Sequence, residues 1–326
     1  MAKPDKKVIF QQLQNMQRIQ LGQNGPEFSR IVAGVMTWGE RGKKLTAKKA
    51  ANYIEECLSL GVSTFDHADI YGHYTTEALF GRATKGKSSL RQRMELISKC
   101  GIKLVTPNRP DYKLKSYDTS KAHILSSVDQ SLKNLKTDYL DLLLIHRPSP
   151  LMDPSEIAET FNQLKQAGKV LNFGVSNFTI TQFSTLNKYI PLVTNQIEIS
   201  LLHDEFLLDG TLDQCLQHGI APMAYSTMAK GAFFAKETSE QIKRIKKVVT
   251  KLKKKYRATY EELITAWLLS HPAKILPIIG TTVIERMATA VRATEINLER
   301  EDWFALWEAS RGKAVSYTHL TLPTKA

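Results

Sequence analysis

From about residue 30 onward the chain alternates short, β-branched apolar runs with segments of helical period, and this beat limits the fold more than any other feature. The runs are RIVAGVMTW (Arg30–Trp38), VSTFDHA (Val62–Ala68), MELISKC (Met94–Cys100), DLLLIHR (Asp141–Arg147), VLNFGVS (Val170–Ser176), VTNQIEIS (Val193–Ser200), APMAYST (Ala221–Thr227) and ILPIIG (Ile275–Gly280). Nearly continuous apolar character suits strands buried on both faces. Between them, KAHILSSVDQSLKNLK repeats Ile124, Leu125, Val128, Leu132 and Leu135 on one helical face, with Ser120 placed as its N-cap. Pro154 and Gly168 bracket PSEIAETFNQLKQAG with the Pro-first, Gly-last asymmetry of a helix. About eight such units close most naturally into an α/β fold, the (β/α)8 TIM barrel.

Ahead of the first unit, QRIQLGQNGPEFSR carries Asn24-Gly25 between short alternating runs and reads as a β-hairpin able to plug the lower end of the barrel. Two helices are expected outside the regular count: EELITAWLLSH before the last strand and EDWFALWEAS after the last barrel helix. No internal repeat or low-complexity linker divides the chain, so residues 16–314 are read as one barrel domain. Residues 1–15 are expected to be a disordered polar extension. VSYTHLTLPT, Val315 to Thr324, resembles a translated sequencing adapter, and 315–326 is set aside as a non-native tail.

Composition narrows the function classes. Of the 326 residues, 42% are hydrophobic and 24% charged, which supports a sizeable core and excludes general disorder. No apolar run approaches the roughly 18–20 residues that cross a bilayer, and the start of the chain lacks a secretion signal, so a cytoplasmic protein without a membrane partner is expected. Cys57, Cys100 and Cys215 are odd in number and fit no zinc spacing, which points to a reduced compartment and no structural metal. The net charge of +13 raises the question of nucleic acid. Much of it sits in IKRIKKVVTKLKKKYR, Ile242 to Arg257, where Ile242, Ile245, Val248, Val249 and Leu252 share one face and lysines fill the rest. That is a solvated amphipathic helix rather than an RNA-binding face, so no nucleic-acid partner is expected.

In a parallel barrel the functional residues gather at the C-terminal strand ends. Asp66 ends the second run, Lys99 the third and His146 the fourth, with Tyr71 in the loop after the second. A lysine and an aspartate in a barrel mouth are costly unless paired, and pairing Asp66 with Lys99 removes that cost. The ammonium beside Tyr71 would favour the phenolate and lower a pKa that begins at about 10. A tyrosine tuned in this way protonates a carbonyl oxygen as negative charge develops, and His146 orients the same oxygen. Trp38, at the end of the first run, is a candidate wall for a small-substrate pocket.

The motifs FDHADIYG, ISKCG, DLLLIHRP, FGVSNF, TNQIEIS, MAYSTMAKG and IIGTTVIER, in this order across residues 16–310, resemble the aldo-keto reductase superfamily, closest to a bacterial branch of NADPH-dependent oxidoreductases. The resemblance implies a catalytic tetrad of Asp66, Tyr71, Lys99 and His146, and reduction of an aldehyde or ketone by hydride from a nicotinamide held without a Rossmann fold. No Gly-x-Gly-x-x-Gly follows a strand, in keeping with that absence. The resemblance further implies that Ser176, Asn177 and Gln196 bind the carboxamide, that Tyr225 stacks on the nicotinamide ring, and that Ser226, Met228 and Gly231 follow the pyrophosphate. Gly280, Thr281, Thr282 and Arg286 would hold the adenosine 2′-phosphate, selecting NADPH (NADP+). The chain departs from the family at Ile279, where Pro is common, and at Met287–Ala290, so adenine contacts are not carried over.

Two other functions compete. Asp66, His67, Asp69 and His146 are all possible ligands of a metal-dependent barrel hydrolase, but the closely spaced histidines expected on its first strand are missing. An NADPH-binding redox sensor with little turnover would share the cofactor residues. The sequence specifies neither the physiological carbonyl nor an oligomeric state.

Overall fold

Every apolar run shortens in the structure to a strand of three to six residues whose C-terminal end opens on one mouth. The computed structural model describes residues 16–314, apart from positions 41, 236 and 238; the expectations for residues 1–15 and 315–326 lie outside the described residues. A hairpin of β1 (Arg18–Gln20) and β2 (Glu27–Ser29) comes first. The closed barrel then runs β3 (Val32–Gly34), β4 (Thr64–Asp66), β5 (Glu95–Cys100), β8 (Leu142–Ile145), β9 (Phe173–Ser176), β10 (Asn195–Glu198), β11 (Met223–Tyr225) and β12 (Leu276–Ile279), which pairs back to β3. The short antiparallel pair β6 (Ile102–Lys103) and β7 (Ser116–Tyr117) sits in the loop after β5. All eight neighbours in the barrel pair in parallel, the chirality-limited arrangement that βα repetition produces.

Helices cover the outside: α1 (Ala47–Ser59), α2 (Thr76–Thr84), α3 (Lys121–Leu135), α4 (Pro154–Gln166), α5 (Ile180–Asn187), α6 (Thr211–His218), α7 (Glu240–Tyr256), α8 (Tyr260–Leu269), α9 (Ile284–Arg292) and α10 (Arg300–Arg311). Their starts carry side-chain caps where the sequence offers them. Ser120 accepts from His123 N at 3.4 Å, Asp153 caps α4 with Pro154 in its first turn, and Thr259 with Glu262 forms a capping box. Among the described residues no helix is long and apolar enough to cross a membrane.

The extra helices differ from expectation. α8, the EELITAWLLSH segment, packs on β12 and is buried from Glu262 to Leu268, so it belongs to the barrel's own helical layer. The additional helix before the last strand is the lysine-rich α7, which lies against α10. Ile242, Ile245, Val249 and Leu252 bury its apolar stripe, while reciprocal Trp267–Trp303 stacking at 5.1 Å ties α8 to α10. A helix apolar on nearly all sides must be enclosed, and α8 meets that demand by packing on β12.

Strand parity decides what faces the barrel axis. Val32, Ile97, Leu142, Leu144, Met223, Leu276 and Ile278 form the interior cluster, and Ile19, Leu21 and Phe28 of the hairpin complete it from below. Phe65, Leu96, Leu143, Ile145 and Val175, one residue out of step, face the helices. The hairpin is tethered at that lower rim by Ser29, whose backbone N–H and hydroxyl both reach the Thr64 hydroxyl, at 3.0 and 3.1 Å. Its turn needs two glycines for different reasons: Gly22 adopts φ +74°, whereas a Cβ on Gly25 would lie 1.4 Å from the Leu21 carbonyl oxygen.

Phe28 is fully buried in the barrel floor. Phe28→Ala is therefore expected to lower unfolding free energy by about 3–5 kcal/mol in a urea titration; a loss under about 1 kcal/mol would show that the hairpin is not part of the core.

Candidate active site

The same parity that fills the barrel with aliphatic side chains turns polar at the top. Asp66, Lys99, Ser176, Gln196 and Tyr225 each stand in register with the inward-facing set of their own strand, at or near its C-terminal end. Lys99 and Asp66 are 1% and 3% exposed, so their charges exist only because each satisfies the other. The Lys99 ammonium donates to both carboxylate oxygens of Asp66 at 2.8 Å and to the His67 carbonyl at 2.7 Å. It also lies 3.2 Å from the Tyr71 hydroxyl oxygen and 5.0 Å from that ring's centroid. Burial alone would depress the Lys99 pKa, but Asp66 and Tyr71 outweigh it and leave the ammonium firmly protonated.

Tyr71 sits in a single turn after β4, its amide bonded to the Ala68 carbonyl at 3.1 Å. Gly72, with φ +56°, lets this turn touch the first loop: a Cβ there would lie 3.3 Å from the Gly39 Cα in that loop and would overlap the Thr76 hydroxyl at the start of α2. The expectation of a lowered phenol pKa is corrected by this environment. Desolvation raises the Tyr71 pKa above its ordinary value, and the opposing field of Lys99, itself offset by Asp66, does not reverse that. The phenol therefore keeps its proton at neutral pH. His146 meets Tyr71 edge to face, with ring centroids 6.0 Å apart. Burial, then Lys99 and Arg147, hold its pKa well below the usual imidazole range, so its ring is neutral.

A hydrogen-bond chain continues around the mouth. Gln196 Nε2 donates to Asp66 Oδ1 at 2.8 Å, and Ser176 Oγ donates to the Gln196 carbonyl at 2.9 Å. Asn177, at φ +59°, donates to Ser176 Oγ at 2.7 Å and accepts from the Tyr225 hydroxyl at 2.7 Å. Arg147 donates to that hydroxyl at 3.4 Å. Thus Asp66, Tyr71, Lys99, His146, Ser176, Asn177, Gln196 and Tyr225 all converge on one mouth.

The remaining expected cofactor residues lie along its rim. Ser226 and the run Ala229–Gly231 adopt positive φ, forming a tight turn that passes Met228 after β11. Gly280 and Thr282 follow β12, where Thr281 Oγ1 accepts from the Val283 amide at 3.1 Å. Helix α9 then starts at Ile284 with no side-chain cap, and Arg286 in its first turn is exposed with no ion-pair partner among the described residues.

Trp38 is a second correction. It is fully buried and packs on Phe80 at 5.9 Å and edge-on to Tyr53 at 5.5 Å, in the outer core beneath α1 and α2. The loop after β3 folds back, with Leu45 N bonded to the Trp38 carbonyl, and carries the indole away from the mouth. His67 turns outward too, one residue out of step with Asp66, against Phe80 at 4.5 Å. Asp66, His67, Asp69 and His146 consequently do not converge, and among the described residues no three or more His, Cys, Asp or Glu are placed to hold a metal.

Sequence reasoning missed two features. The Gln196 bond to Asp66 was foreseeable from parity, since both residues are inward at neighbouring heights. Arg147 had a signal as well, as the residue directly after His146 in the IHRP segment.

The comparisons agree with this geometry. Residues 30–311 match the family model described as Aldo/keto reductase family. The chain is 45% identical to the uncharacterized oxidoreductase YcsN of Bacillus subtilis (strain 168), over 91% of this chain and 99% of that protein. It is 46% identical to the oxidoreductase YdhF of Escherichia coli (strain K12), over 91% and 98%. It is 39% identical to a 6-dehydroglucose reductase of Agrobacterium fabrum, over 92% and 100%. Among solved structures, the thermostable aldo-keto reductase Tm1743, in complex with the inhibitor epalrestat, superposes with a TM-score of 0.75 at 26% identity, covering 90% of this chain and all of that one.

His67 supplies a test of the electrostatics. Burial, reinforced by Lys99, pushes its pKa from 6.5 down to about 3. Between those values the unfolded chain binds a proton that the folded protein refuses, so His67 removes stability as pH falls from about 6.5 toward 3. The loss is at most on the order of 5 kcal/mol. His67→Leu is expected to lose less stability than wild type across that window in paired denaturation curves; parallel profiles would contradict a buried, neutral His67.

Proposed function

The chain belongs to the aldo/keto reductase family, NAD(P)H-dependent oxidoreductases that act on carbonyl compounds, and on that premise we propose that it reduces a small aldehyde or ketone with NADPH, using Tyr71 as the acid. The observation that carries this reading is the contact between Lys99 Nζ and Tyr71 Oη at 3.2 Å, with Asp66 locking the ammonium in place.

The residues suit a nicotinamide nucleotide. Tyr225 offers an aromatic face whose orientation is fixed by its hydroxyl bond to Asn177, and Ser176, Asn177 and Gln196 present amide and hydroxyl groups beside it. The uncapped start of α9 leaves backbone N–H groups pointing outward at the positive end of the helix dipole, and Arg286 adds an unpaired guanidinium there. Such a site favours a phosphate, which is why NADPH is proposed over NADH. When bound, the reduced nicotinamide supplies the hydride.

The protein's own part is proton transfer and orientation. His146, neutral, donates its single N–H to the carbonyl oxygen and fixes the carbonyl's direction. As the oxygen gains charge, the Tyr71 O–H bond breaks and the proton passes to it, leaving a phenolate. The Lys99 N–H already aimed at Tyr71 Oη stabilises that phenolate without reorganisation. Gln196 and Asp66 act as positioning residues by holding Lys99.

The test is oxidation of NADPH with a panel of carbonyls. Tyr71→Phe is expected to cut kcat by about 10²–10⁴ while leaving NADPH binding, read by fluorescence titration, within a few-fold. A Tyr71→Phe enzyme with wild-type turnover would exclude Tyr71 as the acid, and tight NADPH binding with no carbonyl turnover would favour a sensor. Arg286→Ala should weaken NADPH about tenfold and leave NADH nearly unchanged; equal effects on both would remove the 2′-phosphate contact.

A further inference from the structure

Within that reductase reading, on which this step rests, we infer that Arg147 is a specificity-determining residue: its guanidinium receives an acceptor oxygen, of a carboxylate or a hydroxyl, carried close to the substrate carbonyl.

Arg147 directly follows His146 at the end of β8 and is half-buried at the mouth. Its one hydrogen bond among the described residues is the long 3.4 Å contact to Tyr225 Oη, and it has no ion-pair partner there. A guanidinium has five N–H donors in a planar fork, so most of its capacity is unspent. A charge half out of water without a counter-ion is costly, and the cost falls when an acceptor arrives.

The surrounding charges leave the vacancy to a ligand. The acid nearest the reacting groups, Asp66, is saturated by two contacts to Lys99 and one to Gln196. His146 and Tyr71, both desolvated, are neutral. Arg147 is therefore the uncompensated charge beside the Tyr71–His146 pair. Because Arg147 is next to His146 and its guanidinium lies against Tyr225 Oη, the carbons beside a carbonyl held between those two rings would fall within its reach. An oxygen on one of them meets the guanidinium, whereas an unsubstituted aldehyde leaves it unsatisfied. The contact to Tyr225 Oη turns the guanidinium toward the inner side of the mouth.

The experiment compares kcat/KM for matched aldehydes with NADPH saturating: glyceraldehyde against propanal for a hydroxyl, and succinic semialdehyde against butanal for a carboxylate. Wild type should prefer the oxygen-bearing member of at least one pair by about tenfold or more, the worth of one charge-assisted hydrogen bond. Arg147→Met should bring that ratio close to one, chiefly through KM, and Arg147→Lys should restore part of a carboxylate preference. Added salt should erode the carboxylate preference and spare the hydroxyl one, which tells the two acceptors apart. No preference in wild type, or a ratio unchanged in Arg147→Met, overturns the assignment while leaving the reductase reading intact. So does a rise in NADPH Kd at an unchanged ratio, which would place Arg147 on the cofactor. A wild type that turns over none of the four aldehydes, nor any other carbonyl, overturns the reductase reading and this inference with it.

Discussion

The ion pair between Lys99 and Asp66 is the interaction on which the rest of the mouth is built. Two charges at 1% and 3% exposure would each cost several kcal/mol to bury alone. They are tolerated because both are well partnered: the three N–H groups of Lys99 serve both Asp66 oxygens, the His67 carbonyl and Tyr71, one of them shared, and Asp66 takes a further bond from Gln196. Buried charges are stable only when partnered, and Lys99 and Asp66 find their partners within the protein. The pair is consequently a rigid pedestal. Tyr71 bonds to it directly, and the Ser176–Asn177–Tyr225 chain joins it through Gln196.

The pedestal is placed by closure of the barrel. Short strands with strict period-two alternation send the last inward residue of each into a common volume, with aliphatic layers below and loops above. A shift of one residue in β4 would exchange Asp66 for His67, which faces Phe80 in the outer core. Two ionisable residues adjacent in sequence thus have opposite fates: one is charged and networked inside the mouth, the other is neutral and packed in an aromatic cluster. The hairpin below serves the same end from the other side, since Phe28 and Leu21 close the apolar floor beneath the mouth.

Much of this was legible in the residues. Eight apolar runs became eight strands, because burial on both faces demands continuous apolar character and leaves little ambiguity at that length. The convergence of Asp66, Tyr71, Lys99 and His146 followed from strand-end position. What failed shares a cause: each required knowledge of a path or an environment that no local pattern encodes. Trp38 stands at a strand end in sequence, but its loop folds back over the outer core. α7 and α8 are consecutive amphipathic and apolar helices, and only packing against β12 shows which belongs to the barrel. The direction of the Tyr71 shift depends on the balance between burial and the Lys99 field, two large opposing quantities whose difference cannot be read from composition.

That balance changes how the proposed chemistry is to be understood. An acid that had already lost its proton to the field of Lys99 would have nothing to donate at neutral pH. Burial of Tyr71 works against that loss, and the phenol waits neutral beside a cation that touches it in the ground state through one hydrogen bond and the face of its ring. Once the proton moves, the phenolate and the ammonium stand 3.2 Å apart in a medium poor in water, and the attraction is at its strongest. Stabilisation is therefore concentrated where charge appears instead of being spread over the whole cycle, which is the condition for binding energy to lower a barrier. Asp66 tempers the effect: by neutralising part of the ammonium's field it adds to burial in holding the Tyr71 pKa above its ordinary value.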